Sequence, residues 1–368
     1  MNKTRVLILG KLPPPYYGPA IATEIILNSC LKEEFNLIYI DTRLNSSMQT
    51  MGKFAWYKIF IILKIYLRFM KSLSKPGLKV VLIPIAQETS ALMKDAVFIL
   101  LARLFTKKVL LHLRGSSLLT WYESSYLPTR LFFKWIFSLS SGAIVLGQKL
   151  RYIFEPFLHQ DKIFVVPNGA DFNFPPKLHN GSILSVLYFG NLQASKGIED
   201  VLRAVGMLTK EELQKMELNV VGSWSGPDFE MVCKEIVSQK KLPITFNEPK
   251  SGKEKLKMFA YCDVFVFTPR TPEGHPWVIV EAMAAALPVI TTDQGAISES
   301  IIDGVNGFIV PVGSPEHISA RIKQLMENPQ QRIEMGRAGR NKYLESFTEK
   351  AMTDNLSEVI HQVINQDA

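Results

Sequence analysis

PEGHPWVIVEAMAAALPVITTD, residues 272–293, decides the architecture once its pieces are separated. Pro272 and Pro276 bracket Glu273, and proline is accepted in the first turn of a helix and disfavoured deeper in. The helix therefore starts near residue 277 and runs to about residue 286, which leaves Glu273 on a loop and puts Glu281 on the helix. PVITTD then reads as a short β-strand, so the stretch is one loop–helix–strand unit. In a single ideal helix the two carboxylates would lie about 80° apart in angle and about 12 Å apart in height. The N-terminus of the shorter helix faces the loop, and its unpaired N–H groups and dipole favour a bound anion such as phosphate. Glutamates beside a phosphate would repel it, so their partners should be neutral hydroxyl donors, and a nucleotide sugar carries both groups. Spacing alone leaves the plainer reading open: Glu273 offsetting charge at the helix start and Glu281 on the surface.

Outward from this unit the same alternation fills the chain. RVLILG, KVVLIPI, KVLLHLRG, AIVLG and IFVVPNGAD are short β-rich runs separated by helical stretches in the first half. ILSVLYFGN, LNVVG, DVFVFTP and PVITTD repeat the pattern in the second. Strand–helix alternation implies parallel sheets covered by helices, so the fold class is α/β, with two doubly wound domains. FNFPPKLHNGS, with its Pro and Gly residues, reads as the linker. Domains of 1–174 and 175–347 follow, with a C-terminal helix over 348–366 expected to pack back on the first. RVLILG reads as a first strand and not as a signal peptide.

With 47% hydrophobic and 21% charged residues, the composition is that of a soluble globular protein. Cys30, Cys233 and Cys262 stand in no metal-like or redox-like spacing, which gives disulfides and zinc no support and fits a reducing cytoplasm. The net charge of +8 is uneven: residues 1–172 hold 22 Lys/Arg against 10 Asp/Glu, and the remainder 20 against 24. An excess of that size suggests that the first half meets something anionic. Within it, residues 51–77 are strongly apolar yet carry Lys53, Lys58, Lys64, Arg68, Lys71 and Lys75, most of them on one helical face. Such a helix is too interrupted by charge to span a bilayer. It either packs on the sheet or lies partly against an anionic membrane. A nucleic-acid-binding protein is the rival that the basic half suggests, but no RRM, KH or zinc-finger pattern is present. An NAD-dependent enzyme lacks its Gly-x-Gly-x-x-Gly after the first strand.

The stretch EGHPWVIVEAMAAALPVITTDQGAISESIIDGVNGFIV, residues 273–310, resembles the E-x7-E signature of family 4 retaining glycosyltransferases. GNLQASKGIEDVLRA, LNVVGSWSG, CDVFVFTP and VPNGAD add to the resemblance in order. It implies the GT-B fold, two Rossmann-like domains facing a central cleft, with the donor bound by the second. By that resemblance Glu281 would hydrogen-bond the nucleotide ribose, and Glu273 would lie by the donor sugar and place it. Backbone groups of Gly274 and His275 would approach the sugar and diphosphate, and Lys196 would pair with the diphosphate. His112 would lie near the transferred sugar, with Arg114 on the acceptor side. Glu299 matches a further acidic position of the signature.

The sequence departs from the family pattern at three places. Asn191 stands where an arginine commonly supplies a second cation, and Arg114 or Arg270 is the candidate to compensate. Gly18 is followed by Pro19, which has no N–H, where the family often has Gly-Gly. Ala286 replaces a usual glycine at a helix end and would be strained if its φ is positive. The function implied is retaining, metal-independent transfer of a sugar from a nucleotide diphosphate, UDP-linked by expectation, to a lipid-linked or other membrane-proximal glycan acceptor. No Asp-x-Asp metal motif occurs, and no cofactor is expected. Cell-envelope polysaccharide assembly, peripheral attachment to the cytoplasmic face of the membrane and no nucleic-acid partner complete the expectation. A non-catalytic sugar-nucleotide-binding scaffold is the alternative.

Overall fold

The computed structural model describes residues 3–14, 16–43, 56–176 and 183–366, and of residues 56–59 the backbone alone. Residues 51–55 of the basic segment, with Lys53, and residues 177–182 of the linker, with His179, lie outside these. The described residues form two six-stranded parallel sheets in two units, Met1–Ala170 with Glu349–Ala368, and Asp171–Thr348.

In the first unit the strands are β1 (Arg5–Gly10), β2 (Asn36–Asp41), β3 (Leu78–Ile85), β4 (Lys108–Leu113), β5 (Gly142–Val145) and β6 (Ile163–Val165). Their order is β2-β1-β3-β4-β5-β6, and the direction of winding reverses between β1 and β3. Helices α1 (Gly18–Asn28) and α2 (Leu31–Glu34) make the β1-to-β2 step. Helix α3 (Trp56–Leu73) leads to β3, α4 (Thr89–Leu104) to β4, and α5 (Leu118–Ser124) with α6 (Leu127–Ser138) to β5. Right-handed crossovers in opposite directions place α1 on one face of the sheet and α3, α4 and α6 on the other. The central strands are buried on both sides, which is why they read as unbroken apolar runs. Among the described residues no helix is long and apolar enough to cross a membrane.

The second unit holds β7 (Leu184–Phe189), α7 (Ile198–Val205), α8 (Lys210–Leu213), β8 (Met216–Val221), α9 (Pro227–Lys240), β9 (Ile244–Asn247) and α10 (Gly252–Tyr261). It continues with β10 (Val264–Phe267), α11 (Trp277–Ala284), β11 (Val289–Thr292), α12 (Ile297–Ser300), β12 (Gly307–Val310), α13 (Pro315–Glu327) and α14 (Pro329–Ser346). The order β12-β11-β10-β7-β8-β9 reverses between β7 and β10. Open α/β sheets bind ligands outside the carboxyl ends of the strands at such a reversal. The loops after β7 and β10 therefore mark the site, and they carry Lys196 and Glu273.

The boundary between the units falls just before the segment that composition marks as a linker. Phe172 and Phe174 already belong to the second unit, where they stack near Tyr343 and Phe259. Helix α15 (Glu349–Asn365) belongs to the first unit. Met352, Leu356, Val359, Ile360 and Val363 form its apolar stripe, buried in one cluster with Val6, Ile8, Val80 and Leu110. Each such side chain stabilises by roughly 1.5–3 kcal/mol relative to exposure, which holds the helix there. His361 adds a hydrogen bond to Glu34 on α2 and a ring contact with Phe35.

Helix α11 ends at Ala284, two residues before the expected end, because Ala286 turns into the left-handed region with φ 56°. Alanine pays about 1 kcal/mol there through its Cβ. The methyl group is exposed, so its loss removes little packing. Ala286→Gly is expected to stabilise the second unit by up to about 1 kcal/mol, part of the relief being offset by the freer unfolded chain. Urea unfolding of the two proteins side by side measures it.

Candidate active site

Lys196 closes a 3-10 turn, Ala194–Lys196, after β7. Gly197 follows with φ 75°, and a Cβ built on it would fall 1.8 Å from the Thr268 carbonyl oxygen, so only glycine lets this turn lie flush on the end of β10. Three further bonds pin it: the Arg270 N–H donates to the Ser195 carbonyl at 2.8 Å, the Tyr188 hydroxyl to the Lys196 carbonyl at 3.1 Å, and the Thr268 hydroxyl to the Gly197 carbonyl at 3.3 Å. The ammonium that this turn presents forms an ion pair with Glu273. Both side chains are mostly, but not wholly, buried, which raises the strength of the pair above that of an exposed one.

Glu273 sits in the loop between β10 and α11. Gly295, at φ 63°, packs against its backbone, and a Cβ there would fall 1.6 Å from the Glu273 carbonyl oxygen. The Gly274 carbonyl accepts from the Ala296 N–H at 3.1 Å. The His275 ring is buried, with Nε2 2.7 Å from the Ser300 hydroxyl and its face 4.9 Å from Phe347. Burial first, and Lys342 second, push its pKa down to about 4, so the imidazole is neutral near pH 7. The ring thus anchors the loop.

Glu281 is buried in the middle of α11, where residues 279–284 are all buried. That removes the surface alternative left open by spacing. Lys255 of α10 meets its Oε1 at 2.6 Å and lies 4.8 Å from the centre of the Phe189 ring. Burial raises the Glu281 pKa above the ordinary glutamate value, and Lys255 opposes the shift. Its second oxygen, Oε2, is buried and has no hydrogen-bond partner among the described residues. A buried unpaired carboxylate oxygen costs several kcal/mol unless a donor arrives.

Asn191 lies in the same loop after β7, exposed, with its carbonyl accepting from the Gln193 N–H at 3.1 Å. Arg270 does not stand free to replace the missing cation. Its Nε donates to Oδ2 of buried Asp200 at 2.7 Å, in a two-pronged pair that raises the pKa of the guanidinium. Arg270 is therefore a brace holding the Lys196 turn to α7. Glu299 is on α12, and its carbonyl accepts from the Lys342 ammonium.

In the first unit His112 is the penultimate residue of β4, and Arg114 directly follows the strand. An Arg114 amino group lies 3.3 Å from His112 Nδ1. Guanidinium only donates, so Nδ1 accepts and the proton of the neutral ring sits on Nε2. That nitrogen is buried without a partner among the described residues. Burial, and then the Arg114 charge, hold the His112 pKa well below the ordinary value, while burial lowers that of Arg114 to about 9. His112 is thus a neutral hydrogen-bond donor in waiting, not a base. Gly18 opens α1, and Pro19 stands within its first turn, while the N–H groups of Ala20 and Ile21 both donate to the Tyr17 carbonyl. This helix start has little backbone left to offer a phosphate. Lys11, directly after β1, has its pKa lowered mainly by burial and lies near Lys94, Asp95 and Asp41.

A cation and two carboxylates collected where the sheet reverses suit a ligand with both phosphates and hydroxyls. Residues 171–342 match the family described as Glycosyl transferases group 1. The match covers the second unit almost end to end, just under half of the chain. The chain is 24% identical over 278 residues to an uncharacterized glycosyltransferase of Methanocaldococcus jannaschii, covering 71% of this chain and 70% of that one. It is 29% identical over 208 residues to human alpha-1,3/1,6-mannosyltransferase ALG2, covering 54% of this chain and only 49% of the human enzyme. The crystal structure of Anabaena HepE in complex with UDP and glucose superposes with a TM-score of 0.73 at 16% identity, over 98% of this chain and all of that one. That likeness carries the GT-B fold to both units.

Two partners in the second unit were not legible in the sequence. Lys255 shares a helical stripe with Met258 and Phe259, three and four residues on, and a lysine on an apolar stripe is a signal for a buried ion pair. Asp200 offered a weaker one, as an acid in the first turn of the helical stretch IEDVLRAV.

Proposed function

We propose that this protein transfers a sugar, with retention, from a nucleotide diphosphate donor to a lipid-linked or membrane-proximal glycan acceptor. The observation that carries the reading is the unpaired, buried Oε2 of Glu281 in the same domain as the Lys196–Glu273 pair. A ribose with two adjacent hydroxyls supplies the donors that Oε2 lacks. The diphosphate takes the Lys196 ammonium, and Glu273, released from it, accepts from a sugar hydroxyl. The cation opposite the leaving phosphate is then a lysine, so no metal ion is invoked. UDP is the favoured nucleotide, since the similar HepE structure holds UDP. Retention fits the alpha-mannosyltransferase named among the relatives, because sugars are commonly activated as α-linked diphosphates. In the step itself the acceptor oxygen bonds to the anomeric carbon on the face from which the phosphate leaves, and the departing phosphate oxygen takes the acceptor proton. Glu273 is a positioning group here, with no covalent bond to the sugar.

We assign the acceptor to the first unit, where neutral His112 can donate through Nε2 and Arg114 stands beside it. The basic excess of that unit supports an anionic, lipid-linked acceptor, peripheral attachment at the cytoplasmic face and a role in cell-envelope polysaccharide assembly.

A thermal-shift panel of UDP, GDP, ADP and their sugars tests the donor. UDP at a hundred times its Kd is expected to stabilise the protein by about 2.7 kcal/mol. With UDP-sugars and a membrane extract, UDP release should follow and should fall sharply in Glu273→Ala. A protein that binds UDP but releases none in any such mixture is the non-catalytic scaffold instead.

A further inference from the structure

Helices α3, α4 and α6 cover one face of the first sheet, with α4 touching both of its neighbours. Tyr66 and Phe69 of α3 pack on Phe98 of α4, so the inner faces are satisfied. The outer faces are apolar to an unusual degree. Phe60, Leu63 and Leu67 are exposed on α3, Met93, Val97 and Leu104 on α4, and Leu127, Leu131 and Trp135 on α6. Phe60 is 68% exposed, Leu104 76% and Leu131 60%. Spacings of three, four, seven, eight and eleven residues align each set into a stripe, and packed helices lie about 8–10 Å apart. Three neighbouring stripes make a patch of a kind that monomeric proteins rarely leave in water.

Charge identifies the occupant. Lys64, Arg68 and Lys71 are exposed among the apolar residues of α3, and Lys134 stands beside Trp135 on α6. The three helices contain a single acidic residue, Asp95, which is buried and accepts from the Ala86 N–H and the Lys94 ammonium. From residue 42 to residue 138 there are 15 Lys/Arg and three Asp/Glu, so the basic excess of the first unit is gathered in the segment that builds this face. A second copy of the chain would set these cations against one another. A nucleic acid would leave the apolar stripes in water. A bilayer with anionic headgroups accepts both components, with the rings and aliphatic chains below the headgroups and the ammonium groups among the phosphates.

We infer that the outer face of α3, α4 and α6 is a docking surface for an anionic membrane. It deepens the membrane-proximal acceptor proposed above, but it concerns surface residues that have no part in the donor site. The test is sedimentation of the full chain with vesicles of phosphatidylcholine alone and of phosphatidylcholine with one third phosphatidylglycerol, at low and high salt. Binding is expected to the anionic vesicles and to weaken at high salt. Lys64→Glu with Arg68→Glu should lower the partition coefficient by about thirtyfold or more, since each cation near such a surface contributes by a factor of about five. Leu131→Ser with Trp135→Ser should lower it independently, through the apolar component. The UDP-induced thermal shift of the four-residue variant should match that of the original chain, which separates loss of docking from loss of fold and from failure of the donor reading. Equal partition of original and variants overturns the inference. So does a dimer in sedimentation equilibrium that the same substitutions dissociate, which would assign the face to a second copy.

Discussion

Lys196→Ala is expected to lower kcat by roughly 100- to 1,000-fold, the usual effect of removing one preorganised group that meets charge developing in a transition state. The ammonium is tightly placed. Gly197, Thr268, Tyr188 and Arg270 fix the turn that carries it, so little motion is needed when the donor arrives. In the resting protein its charge is spent on Glu273. Under the proposed function an incoming diphosphate would compete for that charge, most strongly when the phosphate leaves with its full negative charge. The interaction therefore grows along the reaction, which places the effect in kcat and less in KM. Asn191 gives no second cation and Arg270 is held by Asp200, so nearby compensation is small. Steady-state UDP release with a saturating donor measures the change. A loss confined to KM would mean that Lys196 binds donor and transition state alike. Arginine at this position should recover little, because a planar fork replaces a compact ammonium.

The fold class could be read from the sequence because most strands are central. β4, β5, β7, β10 and β11 are buried on both faces, so each appears as an uninterrupted apolar run between helical stretches. β2, β9 and β12 were not legible as strands, and all three are sheet edges. β9, with Ile244–Asn247 as ITFN, is short and mixed in polarity, and β2, with Asn36–Asp41 as NLIYID, holds only the short apolar run Leu37–Ile40, so both are weaker signals than the central strands, and both are half exposed. The site divides along a similar line. Glu273 on a loop and Glu281 on a helix follow from where the prolines stand. The local pattern marks Lys255 and, more weakly, Asp200, but it does not name their partners, which lie 26 and 70 residues away and are brought in by the winding of the sheet. Phe172 and Phe174 show the converse error: turn-forming neighbours made them look like linker, while their rings are part of a core.

Glu281 should separate affinity from turnover. In Glu281→Ala the Lys255 ammonium loses its carboxylate in a largely buried place, where breaking such a pair costs about 3–5 kcal/mol. The long lysine stem and the Phe189 ring let the charge reach towards water, so the lower end, about 3 kcal/mol, is expected. Glu281→Gln keeps the shape and a hydrogen bond acceptor and is the variant for function. It should weaken UDP binding by roughly tenfold, the difference between a charged and a neutral acceptor for the ribose hydroxyls, with kcat changed far less. The pH dependence has a definite sign. The folded carboxyl holds its proton to a higher pH than the unfolded one, since burial outweighs Lys255. Its contribution to stability is therefore complete below the unfolded value of 4.5 and declines as pH rises through the raised folded value. Over that same interval the carboxylate becomes charged and able to accept two hydroxyls, so UDP should stabilise the protein more as pH rises. Melting curves with and without UDP across this interval, for the original chain and Glu281→Gln, measure both trends. A UDP-induced shift of equal size in the two proteins at every pH would remove Glu281 from the nucleotide site.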